Sequence, residues 1–431
     1  MSARRREVTA WALYDFGNSA FTTIIVTFIF STYYATVVVG DDIVGPILWT
    51  RAVNISAVIV ALVTPVLGAV ADLAGKKKLF LAIVSVQCIL FTLLLFFAGP
   101  GDAVQAAIFF IVANIGFEAA QVFYNSLLMD ITDRGTIGRV SGFGWGLGYI
   151  GGLFSLAIAL GMIRLWLPQA DAVHYRSSAL LVSAWFAVFA IPLFLWVREG
   201  PAQAAGASTA EYFRLGFGRV GSTFQHLRTY REAGKLLVAR LIYNDGLTTI
   251  FAMASIYAVT TVGMTLEEFL VLGIAINLAA GIGAYGFGFI DDRIGGKKTI
   301  IISLVVLTAA TAAAALSRSV AMFWVAGIVL GVMVGPNQSA SRSLLSRMVP
   351  EQKQGEFFGF YAFSGKLSSV LGPLTYGLVL EATRSHRAAV ASVIVFFVVG
   401  LAVLLTVDET EGTAAALRLE HGEPAPAPHA G

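Results

Sequence analysis

The chain alternates long apolar segments with short polar connections along most of its length. A helix that crosses a membrane needs about 20 largely apolar residues, whereas strands of a membrane barrel are about 10 residues long and alternate. The segments here are long and apolar on all sides, which predicts an all-α membrane protein. Twelve are expected, at 11–39, 46–70, 79–97, 104–128, 138–162, 177–197, 236–262, 269–290, 299–316, 322–345, 357–380 and 388–407.

Composition supports this prediction and excludes several classes of protein. Of the 431 residues 57% are hydrophobic and 13% charged, against roughly 25% charged in soluble domains. A net charge of +3 is too small to indicate a nucleic-acid partner. The single cysteine, Cys88, cannot form an intrachain disulfide. The five histidines lie outside the predicted helices, and no P-loop or nucleophile elbow occurs, so we expect no metal, cofactor or enzymatic activity.

The distribution of basic residues predicts the orientation of the chain. The termini and the even-numbered connections, together with Arg139 at the start of the fifth segment, carry 20 of the 29 Lys and Arg residues. The positive-inside rule therefore places both termini in the cytoplasm. The Ala-, Gly- and Arg-rich composition and the short connections are typical of a bacterial protein of the cell membrane, which this chain would cross several times. We divide the chain into an N-terminal six-helix bundle (1–197), a cytoplasmic linker with an amphipathic helix (198–235), a C-terminal six-helix bundle (236–410) and a disordered cytoplasmic tail (411–431).

The two halves repeat each other. One loop motif occurs twice, 220 residues apart, as Gly68-x-x-x-Asp72-x-x-Gly75-Lys76-Lys77 and as Gly288-x-x-x-Asp292-x-x-Gly295-Gly296-Lys297. Further matches occur in the same order at offsets of 217 and 226 residues. These matches predict two pseudo-symmetric six-helix bundles, an arrangement in which a central site faces alternate sides of the membrane as the halves rock.

The repeated loop motif resembles that of the major facilitator superfamily, and further motifs resemble its vacuolar amino-acid effluxer-like, autophagy-related branch. They read Trp11-Ala-Leu-Tyr-Asp-Phe-Gly-Asn-Ser-Ala-Phe21, Gly138-Arg-Val-Ser-Gly-Phe-Gly-Trp-Gly-Leu-Gly-Tyr-Ile-Gly-Gly152, Tyr243-Asn-Asp-Gly246, Gln338-Ser-Ala-Ser-Arg-Ser-Leu-Leu345, Glu356-Phe-Phe-Gly-Phe-Tyr361 and Ser364-Gly-Lys366. The resemblance implies the twelve-helix fold of that superfamily and a secondary transporter. It also implies that the loop motifs gate the cytoplasmic side, with these residues as the gate: Gly68, Asp72, Gly75, Lys76, Lys77, Gly288, Asp292 and Gly295.

Polar residues inside the fourth apolar segment form the clearest candidate site. Asn114, Glu118, Gln121 and Asn125 recur at helical spacing, which places them on one face. Such a face either lines a cavity or joins neighbouring helices through hydrogen bonds. We favour the cavity, because a seam of hydrogen bonds rarely needs a carboxylate.

The first and seventh segments carry a second group of polar residues. Asp15 and Asn18 lie in the first, and Arg240, Asn244 and Asp245 in the seventh. Both carboxylates lie towards the predicted start of a helix, so stabilising the helix N-terminus is an alternative to a functional role. We expect Arg240 to pair with a carboxylate, because a cation at that depth is costly when it is alone.

The tenth and eleventh segments complete the candidate site with Gln338, Arg342 and Lys366. Arg342 lies close enough to a cytoplasmic end for its side chain to extend into the interface, which is the simpler explanation for it. Lys366 lies too deep for that. We therefore expect Lys366 to face Glu118 or a carboxylate of the substrate.

Together these features predict a secondary active transporter of a small polar or zwitterionic metabolite, most simply an amino acid, working by alternating access. Coupling to protons would run through Glu118, with Asp15 or Asp245 as the second candidate. The expected partners are the small-molecule substrate, the proton and the lipid bilayer, and the protein is expected to be a monomer. An uncoupled facilitator or an exporter of other small molecules is the first alternative. A membrane sensor or scaffold that does not transport is the second.

Overall fold

The computed structural model describes residues 3–41, 43–163, 172–200, 209–225, 230–368 and 371–421, and these are almost entirely helical. The first half contains α1 (Ala3–Ala20), α2 (Val44–Ala74), α3 (Lys77–Leu94), α4 (Ala103–Ser126), α5 (Ile137–Gly161) and α6 (Val173–Trp196). Helix α1 is extended by the shorter helical segments Phe21–Phe28, Phe30–Tyr33 and Tyr34–Val39. A single span therefore runs over Arg4–Val39.

Helix α7 (Thr209–Gln225) lies between the halves. The second half contains α8 (Arg231–Tyr257), α9 (Leu266–Ile294), α10 (Gly296–Ala315), α11 (Val320–Met348), α12 (Gln354–Leu367), α13 (Leu371–Thr383), α14 (His386–Ser392), α15 (Ile394–Leu405) and α16 (Glu409–Glu420). Shorter helical segments are Leu95–Phe97, Leu128–Ile131, Ala258–Val262 and Glu351–Lys353.

The predicted all-helical membrane architecture is confirmed. Within the described residues, 11 segments are long and apolar enough to cross a membrane. The remaining predicted segment, 357–380, corresponds to α12 and α13, and its residues 369–370 lie outside the described ranges. Many large apolar side chains point outward, as a lipid-facing surface requires.

Small residues bring the two halves into contact. Helix α5 packs on α9, where a side chain at Gly142 would meet the backbone of Ala284. Helix α2 packs on α12, where a side chain at Gly68 would overlap the backbone of Gly355. In a membrane, such small residues let helix backbones approach closely enough for van der Waals packing.

Both ends of the described chain lie at one end of the bundle, which we call the terminal face. There the Arg4 guanidinium pairs with Asp133 at 2.9 Å, and Arg134 pairs with Glu420 at 2.9 Å. The second of these pairs connects the first half to α16, the last helix in the described part of the chain. The terminal face also carries both copies of the repeated loop motif.

The prediction of a disordered tail from residue 411 is wrong for residues 411–421. Helix α16 begins after Asp408, whose side chain accepts hydrogen bonds from the backbone N–H groups of Thr410 and Glu411. Its two ends are fixed to the bundle: Glu409 accepts the N–H of Gly296, and Glu420 binds Arg134. Polar composition suggested disorder, but these contacts compensate for the entropy of ordering the segment. The rest of the predicted tail lies outside the described residues.

Helix α7 occupies the predicted linker and contacts both halves. Gly216 lies against Val70 of α2. Arg219 pairs with Glu356 of α12 at 3.1 Å, and Lys353 lies 3.4 Å from the same carboxylate. Burial lowers the pKa of Lys353, and the Glu356 carboxylate acts in the opposite direction.

Candidate functional site

A cavity of about 790 Å³ lies between the two halves. Side chains from both halves line it, and ten of the eleven residues predicted to bind substrate or proton are among them. These ten are Asp15, Asn18, Glu118, Gln121, Asn125, Arg240, Asn244, Gln338, Arg342 and Lys366. The eleventh, Asp245, is buried next to the cavity without lining it.

An ion pair between Glu118 and Lys366 joins the two halves across the cavity. Glu118 belongs to α4 in the first half, and Lys366 to α12 in the second. The predicted pairing is therefore present. Both side chains remain partly accessible, Glu118 at 20% and Lys366 at 27%, so a molecule in the cavity can reach either group.

Arg342 extends from α11 into a pocket formed by the first half. Its guanidinium donates to the Ser141 carbonyl at 2.6 Å and to Asn125 Oδ1 at 3.1 Å, and it lies 3.8 Å from Asp15. Three aromatic rings surround the charge, at 4.9–5.9 Å from their centroids: Trp11, Tyr124 and Trp145. The prediction that this side chain extends into the membrane interface is therefore wrong, because Arg342 is buried between the two halves.

Asn125 and Arg342 occupy equivalent positions in the repeat, 217 residues apart, and they bind each other. Gln121 and Gln338 are related by the same offset, and both line the cavity. The repeat therefore places matching positions of α4 and α11 on opposite sides of the centre. The cavity lies at the interface between the two pseudo-symmetric halves, which is where such folds bind their substrates.

Arg240 does not pair with a carboxylate among the described residues, so that prediction is wrong for this conformation. Its Nη1 atom donates to the Tyr361 carbonyl and to Ser364 Oγ, each at 3.0 Å. Its guanidinium carbon lies 3.4 Å from the centre of the Tyr361 ring. The charge is stabilised by the ring and by neutral oxygens of α12 instead.

The polar face of α4 has two different roles along its length. Asn114, at one end, donates to Ser56 of α2 at 2.7 Å and so forms part of a seam between helices. Glu118, Gln121 and Asn125 line the cavity. Both predicted roles of this face, a seam between helices and a cavity wall, are therefore present. The transition from one to the other occurs within about one helical turn, between Asn114 and Glu118.

A chain of amide hydrogen bonds connects α8, α11 and α12. Gln338 donates to Asn244 at 3.1 Å, and Asn244 donates to Ser368 at 2.6 Å. In the first half, the repeat equivalent of Asn244 is Asn18, whose buried Nδ2 atom has no partner among the described residues. Asn18 itself is one of the residues that line the cavity.

Neither Asp15 nor Asp245 lies at the start of its own helix, so neither can stabilise the N-terminus of that helix as the alternative required. Asp15 lies three turns into α1, and Asp245 lies in the middle of α8. Asp245 instead accepts the backbone N–H groups of Leu371 and Gly372, at 3.1 and 2.8 Å. It therefore stabilises the N-terminal turn of a different helix, α13.

The two loop motifs make reciprocal contacts between the halves at the terminal face. Asp72 accepts the N–H groups of Gly355 and Glu356 at the start of α12, each at 3.0 Å. Asp292 accepts the N–H groups of Gly138 and Arg139 at the start of α5, at 2.8 and 3.3 Å. Each aspartate thus interacts with the N-terminus of a helix in the opposite half.

The other predicted gate residues have separate roles around these aspartates. Gly75 and Gly295 adopt φ of +58° and +91°, a region that favours glycine. Gly68 and Gly288 allow close backbone approach to the opposite half. Lys77 lies 3.8 Å from Asp72, whereas Lys76 is exposed.

Sequence reasoning missed a second set of charges at the terminal face. Arg347 pairs with Asp291 at 2.6 Å and reaches Asp292 and Glu409 at 3.5 Å. The repeat equivalent of Arg347 is Asp130, which pairs with Lys77 at 3.3 Å, so the two halves use opposite charges at one position. The signal was visible, because the second loop motif carries an additional aspartate, Asp291, where the first has alanine.

Two six-helix halves around a central polar cavity, closed at one face by reciprocal loop-to-helix contacts, define a transporter of the major facilitator superfamily. Solved structures of that superfamily share the fold. The human organic anion transporter MFSD10 matches with a TM-score of 0.72 at 14% identity, covering 94% of this chain and 100% of that one. The proton:xylose symporter XylE matches with a TM-score of 0.73 at 15% identity, covering 97% and 99%.

Within this superfamily, the chain belongs to the vacuole effluxer Atg22-like family, whose model matches residues 47–136 and 129–417. A Bacillus subtilis relative, the uncharacterized MFS-type transporter YxiO, is 28% identical over 95% of this chain and 96% of its own length. Autophagy-related protein 22 of Yarrowia lipolytica is 24% identical over 72% of this chain and 57% of its own length. The protein is therefore a multi-pass membrane transporter that binds a small molecule within the bilayer.

Proposed function

We propose that this protein is a proton-coupled secondary transporter of a small zwitterionic metabolite, an amino acid, and that it works by alternating access. The observation that carries the proposal is the partly accessible Glu118–Lys366 pair, which places one acid and one base in a cavity between the halves. An amino acid carries the complementary groups, an ammonium and a carboxylate. The description of the family as vacuole effluxers is consistent with this class of cargo.

Binding of a zwitterion would replace the internal ion pair by two intermolecular ones. The substrate ammonium would bind Glu118, and its carboxylate would bind Lys366. Since the pair is already partly desolvated, exchanging partners avoids leaving either charge alone in the membrane. A proton on Glu118 would release Lys366 in the same way, so substrate and proton act on one group.

The described conformation is closed at the terminal face, which we assign to the cytoplasm of a cell-membrane protein from the distribution of Lys and Arg. The contacts of Asp72 and Asp292 hold the halves together there, and Arg342 lies in a pocket of the opposite half. Opening this face would require all three contacts to break. A ligand drives that change only by binding the two conformations with different affinity.

We expect Glu118→Gln to abolish proton-driven accumulation while substrate exchange across the membrane continues. Glutamine keeps the size of the side chain and one oxygen that can accept from the substrate ammonium, but it cannot take up and release a proton. Purified protein in proteoliposomes is tested with an internal pH dye and labelled amino acids, first under a pH gradient and then in counterflow. Accumulation should fall to that of protein-free liposomes, and counterflow should remain.

Glu381→Gln is the matched control, because Glu381 is exposed on α13 and does not line the cavity. It should behave as the unmodified protein. Intact pH-driven accumulation in Glu118→Gln would remove Glu118 from coupling. Counterflow without any pH change in the unmodified protein would indicate an uncoupled facilitator. Absence of both a pH change and counterflow across a panel of amino acids would exclude that substrate class.

A further inference from the structure

Arg240 differs from the other cations at the cavity in its surroundings. It lies on α8, its side chain is buried, and its two hydrogen bonds, to the Tyr361 carbonyl and Ser364 Oγ, both come from Nη1. The Nε atom is buried and has no hydrogen-bond partner among the described residues. A guanidinium has five N–H donors in one plane, so a substantial part of its donor edge is unused.

The stacked Tyr361 ring does not satisfy these donors. A ring over the guanidinium attracts the charge through the face of the group. The N–H donors point outward in the plane of the group, away from that ring. An unpaired donor buried in a membrane protein is costly, and a bound acceptor would remove that cost.

The charges lining the cavity do not balance. Among the described residues they are two acids and three cations, namely Asp15, Glu118, Arg240, Arg342 and Lys366. Glu118 is paired with Lys366, and Asp15 lies beside Arg342. Arg240 therefore leaves one positive charge without a counter-charge in the cavity wall.

Glycine at residue 365 leaves space beside the Arg240 guanidinium that a larger residue would fill. A side chain at Gly365 would begin 3.1 Å from Arg240 Nη1. Both Gly365 and its neighbour Lys366 line the cavity, as Arg240 does. Two cations of the second half, Arg240 and Lys366, therefore both line the cavity.

We propose that Arg240 is a carboxylate subsite and that the favoured substrate is an amino acid with an acidic side chain, carrying a net charge of −1. This inference rests on the proposed amino-acid transport and specifies its substrate class. The ammonium binds Glu118, one carboxylate binds Lys366, and the second carboxylate binds the Nε side of the Arg240 guanidinium, which has an unpaired donor among the described residues. The bound substrate then neutralises the unbalanced charge of the cavity.

Glutamate and glutamine provide the sharpest test, because they have nearly the same shape and differ in this one charge. Counterflow in proteoliposomes measures the concentration of each that halves exchange of a labelled amino acid. Since a hydrogen bond to a charged group contributes about 1.5–3 kcal/mol, glutamate should compete at least about tenfold better than glutamine. Aspartate and asparagine repeat the comparison with a shorter side chain.

Arg240→Gln should reduce the glutamate-to-glutamine ratio to near one while glutamine still competes. Arg240→Lys keeps the charge and should retain part of the preference. Arg51→Gln is the matched control, because Arg51 lies exposed on α2 away from the cavity, and its ratio should stay unchanged. Size-exclusion profiles identify any variant that does not fold.

A glutamine preference in the unmodified protein would overturn the acidic-substrate inference while leaving amino-acid transport intact. An unchanged preference in Arg240→Gln would overturn the role of Arg240. If Arg240→Gln does not fold, the ratio in the unmodified protein and in Arg240→Lys decides the matter. Absence of exchange with every amino acid would instead contradict the proposed function itself.

Discussion

Replacing Arg347 by methionine should destabilise the protein more than any other single substitution at the terminal face. Its guanidinium is 7% exposed and is the shared partner of three carboxylates, those of Asp291, Asp292 and Glu409. Removing one partner of a buried ion pair costs about 3–5 kcal/mol, because the remaining charge is left uncompensated. Here three acids would be left close together, so their repulsion adds to that cost.

Thermal unfolding of the purified protein in detergent measures this effect. We expect the midpoint of Arg347→Met to fall by several degrees relative to the unmodified protein. Arg293→Met is the control, because Arg293 follows Asp292 in the last turn of α9 and is exposed. The double variant Arg347→Met/Asp291→Asn should recover part of the loss, since it also removes a buried negative charge. Equal midpoints for Arg347→Met and Arg293→Met would show that the cluster contributes nothing.

The fold could be predicted from the sequence because a membrane restricts the choice of structure. Backbone groups in lipid must form hydrogen bonds within a helix or a closed barrel, and segments this long and apolar are compatible only with helices. The internal repeat then fixed the division into halves. The candidate cavity also followed, since charges such as Glu118 and Lys366 are too costly to face lipid and must meet inside the bundle.

Individual partners were harder to predict, because they depend on how helices pack. Arg240 was expected to find a carboxylate, but the helix opposite presents a tyrosine ring and two neutral oxygens. For Asp245 the alternative to a functional role was the start of its own helix, whereas it binds the start of α13. Helix α16 was missed because its stability comes from contacts made by its end residues, Glu409 and Glu420, and not from apolar periodicity.

The contact between Arg134 and Glu420 offers a direct test of movement at the terminal face. It joins the first half to helix α16, which is fixed to the second half by Glu409. If the halves rock, this contact must open during each cycle. Tethering the two positions should therefore stop transport, without altering any group in the cavity.

The chain is suited to this experiment because its single cysteine, Cys88, is buried and can be replaced by serine. In that background, Arg134→Cys/Glu420→Cys is linked with a reducible bifunctional thiol reagent. Transport in proteoliposomes should fall close to the level of empty liposomes after linkage and return after reduction. A tether prevents opening because it removes the relative motion of the halves on which alternating access depends.

Lys297→Cys/Leu405→Cys is the matched control, because both positions lie in the second half, where the Lys297 ammonium donates to the Leu405 carbonyl at 3.0 Å. Linking them leaves the two halves free to move, and transport should continue. Undiminished transport after linking positions 134 and 420 would mean that the terminal face stays closed throughout the cycle. The substrate would then have to leave by another route, and the reciprocal contacts of Asp72 and Asp292 would be structural, not gating.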